Sequence, residues 1–258
     1  KTLGRGLGMA LATSVFYAYG VNEGFAILIC TMSLILLLPI LSKELNYKAG
    51  HEAQLYKNRL TFNELVLGIR QSMFNPSAFA AIIFMLFANI GYGIFDVIYN
   101  EFYIKELGWN GEEIGYMRPY GMWLGGLIGL SAGLMTLYFR KRSLLLFFVI
   151  GQAVVFLTAS TLSYETSNLL TSAVLIGVDA VDAGWSVLIF SILMALCITQ
   201  TSATNFGIFM GFGNISMLIG NNIAPAILGF GDFTFAFTFA ALTLIPCLIS
   251  GYYLTKET

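Results

Sequence analysis

Hydrophobic residues run along this chain in long blocks that short polar connections separate. A transmembrane helix needs roughly 20 predominantly apolar residues, and eight segments come close to or meet that length. They are residues 3–20, 24–41, 77–99, 114–139, 143–163, 170–198, 206–228 and 235–254. The pattern therefore predicts an all-α, polytopic transmembrane helix bundle with eight spans.

Composition excludes the main alternatives to a membrane protein. Apolar residues make up 57% of the chain and charged residues 10%, whereas soluble domains carry about 25% charged residues. The net charge of −1 creates no field that would attract nucleic acid. The three cysteines lie inside apolar runs without metal or disulfide spacing. We therefore expect no metal, no cofactor and no nucleic-acid partner.

The distribution of basic residues orients the predicted spans, because cytoplasmic loops are enriched in Lys and Arg. With both ends of the chain placed in the cytoplasm, only Lys105 lies outside, and Arg118 lies within a span. The cytoplasmic set is Lys1, Arg5, Lys43, Lys48, Lys57, Arg59, Arg70, Arg140, Lys141, Arg142 and Lys256. This bias predicts that both termini of the chain are cytoplasmic.

One connection, residues 42–75, is long, polar and basic and contains the only histidine, His51. Its second half, residues 60–74, mixes apolar with polar positions, which suits a helix lying on the inner membrane surface. A solvated linker explains the same composition equally well. In neither case is His51 expected to be a ligand.

Charged groups in the hydrocarbon region are costly, so they normally face a bundle interior or an aqueous cavity. Segments 24–41, 143–163 and 235–254 contain no charged residue, while the two spans between them carry the polar groups. This rhythm is typical of bundles that are built from three-helix repeats. It predicts that every third helix faces lipid and that the others line a cavity.

Asp179 and Asp182 are the first candidates for chemistry. They lie about 14–18 Å into their span, at 1.5 Å per residue, near the middle of a hydrocarbon core ~30 Å thick. Two carboxylates three residues apart share a helix face and cannot easily both ionise at low dielectric. They are therefore candidate proton-coupling residues, or else carboxylates that neighbouring helices cap without a transport role.

The other candidates are assigned to the cavity. Asp96 and Arg118, each about one to two turns from the outer face, are expected to form either a gating ion pair or a static one. Asn89 and Glu101 are further cavity or gate candidates. The candidates for solute contact are Asn214, Asn221, Asn222 and Trp185. For Asn221 and Asn222, plain interhelical hydrogen bonds are the alternative.

Several short motifs resemble the major facilitator superfamily, and within it the muropeptide permeases of the AmpG type. They are Gly4-Arg5-Gly6-Leu7-Gly8-Met9, Lys105-Glu106-Leu107-Gly108-Trp109 with Glu113-Ile114-Gly115, Leu193-Met194-Ala195-Leu196-Cys197 and Ser202-Ala203-Thr204-Asn205-Phe206. Arg140, Lys141 and Arg142 resemble the basic inner loop of the superfamily and serve equally as a cytoplasmic anchor.

The resemblance implies a division of the chain and a function. Residues 1–41 would be the last two helices of an N-terminal half, 42–75 the central linker, and 76–258 the C-terminal six-helix half. The family has twelve spans, so four further helices are expected upstream of Lys1. The implied function is proton-coupled import of a polar organic solute such as a muropeptide, in a bacterial inner membrane.

Departures from the family leave the solute open. The family's Lys and Asp near positions 89 and 92 are Asn89 and Tyr92 here, and the acid appears at Asp96. Siderophores, acyl-CoA compounds, drugs and sugars are therefore alternative solutes. A non-transporting membrane scaffold or sensor is the alternative class. Catalysis is not expected, because no HExxH, GxSxG or Cys/His cluster occurs.

Overall fold

The computed structural model describes residues 75–197 and 202–254, together with Ser14, Gly20, Ala26, Cys30, Ser33 and Arg70 as single positions. The predicted spans 3–20 and 24–41, and the 42–75 linker with His51 and its surface helix, lie outside the described ranges. The chain divisions predicted at 1–41 and 42–75 remain predictions for the same reason.

All regular secondary structure in the described ranges is α-helical. The helices are α1 Pro76–Ala88, α2 Ile90–Lys105, α3 Gly111–Met135, α4 Lys141–Ala159, α5 Asn168–Leu196, α6 Ser202–Phe230, α7 Phe233–Leu242 and α8 Ile245–Leu254. α1 and α2 form one rod that is interrupted at Asn89, and α7 and α8 form another that is interrupted at Thr243 and Leu244. Six rods thus occupy the positions of the last six predicted spans.

Polar residues outside the apolar runs start several of these helices. Asn75 accepts a hydrogen bond from the backbone N–H of Ala78 at 2.6 Å, with Pro76 as the first helical residue. Asn110 and Glu113 form a reciprocal capping box at the start of α3, with bonds of 2.8 and 2.9 Å. Such caps satisfy backbone N–H groups that the first turn leaves without partners. They fix where each rod begins.

Replacing Asn110 with alanine tests the cap of α3. We expect Asn110→Ala to lower the free energy of unfolding by about 1 kcal/mol, because the first turn loses its side-chain acceptor. The measurement is unfolding of the reconstituted protein by sodium dodecyl sulfate in mixed micelles. Asn100→Ala, at an exposed position inside α2, is the control and should not lower stability, because alanine favours a helix interior more than asparagine does.

Four rods of the described ranges are long and apolar enough to cross a membrane: Pro76–Lys105, Lys141–Ala159, Asn168–Leu196 and Phe233–Leu254. α3 and α6 are long enough to cross a membrane but less apolar than these four rods. α3 carries Glu112, Glu113 and Arg118, and α6 carries a series of asparagines. The prediction of an apolar, all-helical membrane protein is confirmed at this level. The count of eight spans stays a prediction.

Close helix pairs organise the bundle. α3 packs mainly on α5, α2 on α6, and α1 on α8, while α4 packs against α5, α7 and α8. Glycines permit the closest approaches: a Cβ on Gly125 would lie 2.9 Å from the Asp179 carbonyl oxygen, and one on Gly220 only 2.3 Å from that of Ile90. Small residues of this kind let membrane helices approach backbone to backbone.

The outward surfaces of the helices formed by the charge-free segments 143–163 and 235–254 are apolar. α4 exposes Phe147, Ile150, Val154 and Leu157 at helical spacing, and α8 exposes Ile249 among others. Such stripes suit contact with lipid chains. α3, which the sequence assigned to the cavity, also exposes leucines, at positions 124, 127, 130 and 134.

Candidate functional site

Polar side chains from three helices meet inside the bundle at a group that we call the Arg118 cluster. α2 contributes Tyr92, Asp96 and Tyr99, which lie on one helix face because they are spaced by four and three residues. α3 contributes Arg118 and α5 contributes Asp179. The cluster lies where the α2–α6 pair meets the α3–α5 pair.

Arg118 is the centre of the cluster and is only 3% exposed. Its Nη2 forms an ion pair with Asp96 Oδ1, and its Nε lies 3.3 Å from Asp179 Oδ2. The guanidinium carbon also lies 4.1 Å from the centre of the Tyr99 ring, a cation–π geometry. One cation therefore serves two carboxylates that belong to different helices.

Asp179 is buried, and both of its oxygens are engaged. Oδ2 accepts from Arg118, and Oδ1 accepts a hydrogen bond of 2.6 Å from the Tyr92 hydroxyl. Asp96 is more open, with 26% of its side chain exposed. A buried carboxylate depends strongly on its partners, because removing one leaves an uncompensated charge. Asp179 therefore depends on Arg118 more than Asp96 does.

The charges of the cluster do not cancel. Arg118 contributes +1 against two carboxylates, which leaves −1, and Asp182, one turn further along α5, adds another negative charge. Charges within membrane spans usually pair with one another. The cluster and its neighbour Asp182 therefore hold three carboxyl groups and one cation.

Asp182 lines a groove along α3 and α5. The groove has a volume of about 650 Å³. Its walls are formed by Gly125, Gly126, Gly129, Leu130, Gly133, Leu134, Asp182, Ala183, Ser186, Val187 and Phe190. The sequence treated Asp179 and Asp182 as one pair of carboxylates, but in the structure the two side chains have different surroundings. Asp179 is sealed in the cluster, and Asp182 is half-buried at the groove.

A smaller cavity of about 400 Å³ lies at the opposite end of the α3–α5 pair. Its lining comes from the loops before α3 and α5 and from the first turns of both helices, namely Leu107, Gly108, Trp109, Glu113, Met117, Tyr164, Asn168 and Ser172. Gly108 has φ +73°, and a Cβ there would lie 2.8 Å from the Tyr164 ring. A larger residue at this position would displace that ring.

Two of the predicted asparagines join α2 to α6. Asn89 Nδ2 donates to the Gly213 carbonyl oxygen at 3.1 Å, and its backbone N–H donates to Ser216 Oγ at 3.0 Å. With the Asn221 amide nitrogen turned toward α2, it donates to the Gly93 carbonyl oxygen at 3.1 Å. For Asn221 this is the interhelical hydrogen bond that the sequence left as an alternative to cavity lining, and Asn89, a cavity or gate candidate in the sequence, forms such bonds as well.

The remaining candidates lie away from the cluster. Asn214 and Asn222 are exposed on α6, and Asn222 donates to the carbonyl of Leu218 in its own helix. Trp185 is 3% exposed and packs edge-on against Phe84, with ring centres 6.0 Å apart. In this structure Trp185 is a core residue rather than part of a cavity wall.

Two groups of charged candidates lie at the ends of the helices. Glu101 forms an exposed pair with Lys105 one turn away and does not reach Arg118. The Arg140, Lys141 and Arg142 series begins α4, and the Arg142 guanidinium lies 3.6 Å from the centre of the Tyr252 ring in α8. These residues anchor helix ends.

Sequence reasoning missed the roles of Tyr92 and Tyr99. Their spacing from Asp96, four residues before and three after, places all three on one helix face, and that was the available signal. Tyrosine is common in apolar membrane helices, so composition alone did not mark them.

No family model and no curated protein matches the chain.

Proposed function

We propose that the chain belongs to a secondary active transporter that couples solute movement to protons by alternating access. The observation that supports this most is the Arg118 cluster, in which a buried cation pairs with carboxylates from two other helices of an apolar bundle. Ionisable residues within membrane spans are expensive and typically mark ion or substrate pathways.

The residues have distinct proposed roles. Asp179 and Asp182 are the candidate proton sites, since together with Asp96 they outnumber the single cation. Arg118 and Asp96 are the proposed gate charges, and the contact between Arg118 and Asp179 changes as the protein alternates between its two access states. The groove beside Asp182 has a volume of about 650 Å³ and is the proposed location of the solute. Asn89 and Asn221 hold α2 against α6.

The family and the solute are proposals that rest on the sequence motifs. We propose a major-facilitator fold and, by resemblance to AmpG-type permeases, import of a muropeptide or a comparable polar organic solute across a bacterial inner membrane. Siderophores, acyl-CoA compounds, drugs and sugars are the other solutes to test. We propose no catalytic activity.

Uptake driven by a pH gradient tests the proton role. The experiment follows radiolabelled muropeptide, with a siderophore, an acyl-CoA compound and a sugar in parallel, into proteoliposomes that are acidic outside. The protein is expected to accumulate one of these probes until a protonophore collapses the gradient. The double variant Asp179→Asn and Asp182→Asn should reach the membrane in normal amounts but lose accumulation.

The matched control is Asp232→Asn, because this residue only caps α7 and asparagine caps a helix as well as aspartate. It should retain accumulation. Undiminished uptake by the double variant contradicts the proton role of Asp179 and Asp182. An absence of flux for every probe favours a membrane scaffold or sensor instead.

A further inference from the structure

The Tyr92 hydroxyl occupies the point where the buried carboxylate and the arginine meet. It lies 2.6 Å from Asp179 Oδ1 and 3.3 Å from Arg118 Nη2, and Tyr92 itself is only 6% exposed. Tyr99, two turns along the same face, presents its ring to Arg118 instead. The two tyrosines therefore touch the same arginine in chemically different ways.

Chemistry fixes the direction of both hydrogen bonds of Tyr92. A guanidinium carries only N–H donors, so Arg118 cannot accept the phenolic hydrogen. That hydrogen must point to Asp179, while a lone pair of the Tyr92 oxygen accepts from Arg118. In this arrangement both Asp179 oxygens act purely as acceptors, as an ionised carboxylate does.

A proton on Asp179 weakens this arrangement. The neutral carboxyl loses the charge that attracts Arg118, and its oxygens accept from Tyr92 and Arg118 less strongly than those of a carboxylate do. The ion pair between Arg118 and Asp96 keeps both of its charges. The charge of the cluster then changes from −1 to 0, with Arg118 and Tyr92 keeping their own protons.

Protonation of Asp179 affects the contact between two helices, because Asp96 and Tyr92 belong to α2 and Asp179 belongs to α5. α3 is held on α5 by backbone packing at Gly121 and Gly125, whereas it meets α2 much less extensively. Arg118 is thus a polar link between α2 and the α3–α5 pair. Protonation of Asp179 loosens the α5 side of that link.

We propose that Tyr92 is a positioning residue that makes the Arg118 link respond to the proton on Asp179. Its hydroxyl stabilises the ionised carboxylate and holds Arg118 between α2 and α5. When Asp179 binds a proton from one aqueous side, Arg118 passes to Asp96 alone; when the proton leaves to the other side, the link re-forms. This inference rests on the proposed proton-coupled transport and identifies the residue that sets its pH response.

The described surroundings of Asp179 hold few other titratable groups. α2 presents Tyr92, Asp96 and Tyr99, α3 presents Arg118, and α5 itself carries Asp182. Of the other helices packed against α5, α1 and α6 contain no Asp, Glu, Lys, Arg or Tyr, and α4 has Lys141 and Arg142 only at its start. The pH response is therefore assigned within the cluster and its neighbour Asp182.

Infrared titration of the reconstituted full chain tests the proposal without any solute. The protonated-carboxyl stretch is followed against pH, and the band that Asp179→Asn removes is assigned to Asp179. In Tyr92→Phe we expect the midpoint of this band to rise by about one pH unit, because the ionised form loses a hydrogen bond of charge-assisted strength. Tyr92→Met, which also lacks the hydroxyl, gives the same upward shift and serves if Tyr92→Phe does not fold.

Tyr99→Phe is the matched control, since phenylalanine keeps a ring face for Arg118. The midpoint of the Asp179 band in this variant should equal that of the unmodified protein. An unchanged midpoint in the Tyr92 variants, or an equal shift in Tyr99→Phe, overturns the role of Tyr92. The titration needs no transport and therefore tests the role of Tyr92 separately from the proposed function. If no solute is transported but the Tyr92 variants still raise the midpoint, the proposed function is contradicted and the role of Tyr92 is not.

Discussion

Replacement of Arg118 with leucine is expected to lower the free energy of unfolding by about 3–5 kcal/mol, the cost of removing one partner from a buried ion pair. Arg118 is 3% exposed, and Asp179, at 8%, loses its only cationic partner in the described part of the chain. Asp96 is partly open to solvent and contributes less to the loss. The measurement is unfolding by sodium dodecyl sulfate in mixed micelles.

Two further variants separate charge from packing. If the uncompensated carboxylate is the cause, adding Asp179→Asn to Arg118→Leu should recover a large part of the lost stability, because the buried negative charge is gone. Arg118→Lys should fall between the unmodified protein and Arg118→Leu, since lysine keeps the charge but cannot reach both carboxylates with a planar fork. Equal instability of Arg118→Leu with and without Asp179→Asn would contradict this explanation.

The helical rods of the described ranges could be predicted from hydrophobicity, but their ends and interruptions could not. α3 begins three residues before the predicted segment, because Asn110 and Glu113 cap it and polar caps are invisible to a count of apolar residues. The interruption at Asn89 depends on Ser216, 127 residues away, which accepts its backbone N–H. A contact of that sequence separation leaves no local signal.

The candidate site was predicted in parts rather than as a whole. Asp96, Arg118 and Asp179 stand out because charged residues are rare in membrane spans. The sequence placed Asp179 nearer the middle of the membrane than Asp96 and Arg118, yet the three side chains are in contact in the structure. Asp96 lies nine residues before the end of α2, about 13 Å along the helix axis. Depth counted to Cα atoms also ignores the length of the arginine side chain.

The interior packing shows a different limit, because glycine is ambiguous in a sequence. Gly220 and Gly177 both lie inside helices of 29 residues. A Cβ on Gly220 would lie 2.3 Å from the carbonyl oxygen of Ile90 and 3.1 Å from Cα of Gly93, whereas one on Gly177 would meet the Val155 methyl groups at 3.6 and 3.8 Å. Only the structure separates the helix crossing at Gly220 from the ordinary contact at Gly177.

This difference predicts opposite outcomes for the same substitution. Gly220→Ala should destabilise the protein by about 1–3 kcal/mol, as overpacking of a filled interior does. The obstructing atoms belong to the α2 backbone and cannot rotate away. Since α2 must shift from α6, the hydrogen bond from Asn221 to the Gly93 carbonyl and the position of Tyr92 beside Asp179 are disturbed as well. Unfolding in mixed micelles measures the loss.

Gly177→Ala is the matched control and should be neutral or stabilising by up to about 1 kcal/mol, because alanine favours the helix more than glycine does. The infrared midpoint of the Asp179 band gives a second readout. Gly220→Ala should move it upward, in the direction expected for Tyr92→Phe, because the displaced α2 withdraws the Tyr92 hydroxyl from the carboxylate. A destabilised Gly220→Ala protein with an unmoved midpoint would show that the α2–α6 crossing supports the fold without positioning Tyr92.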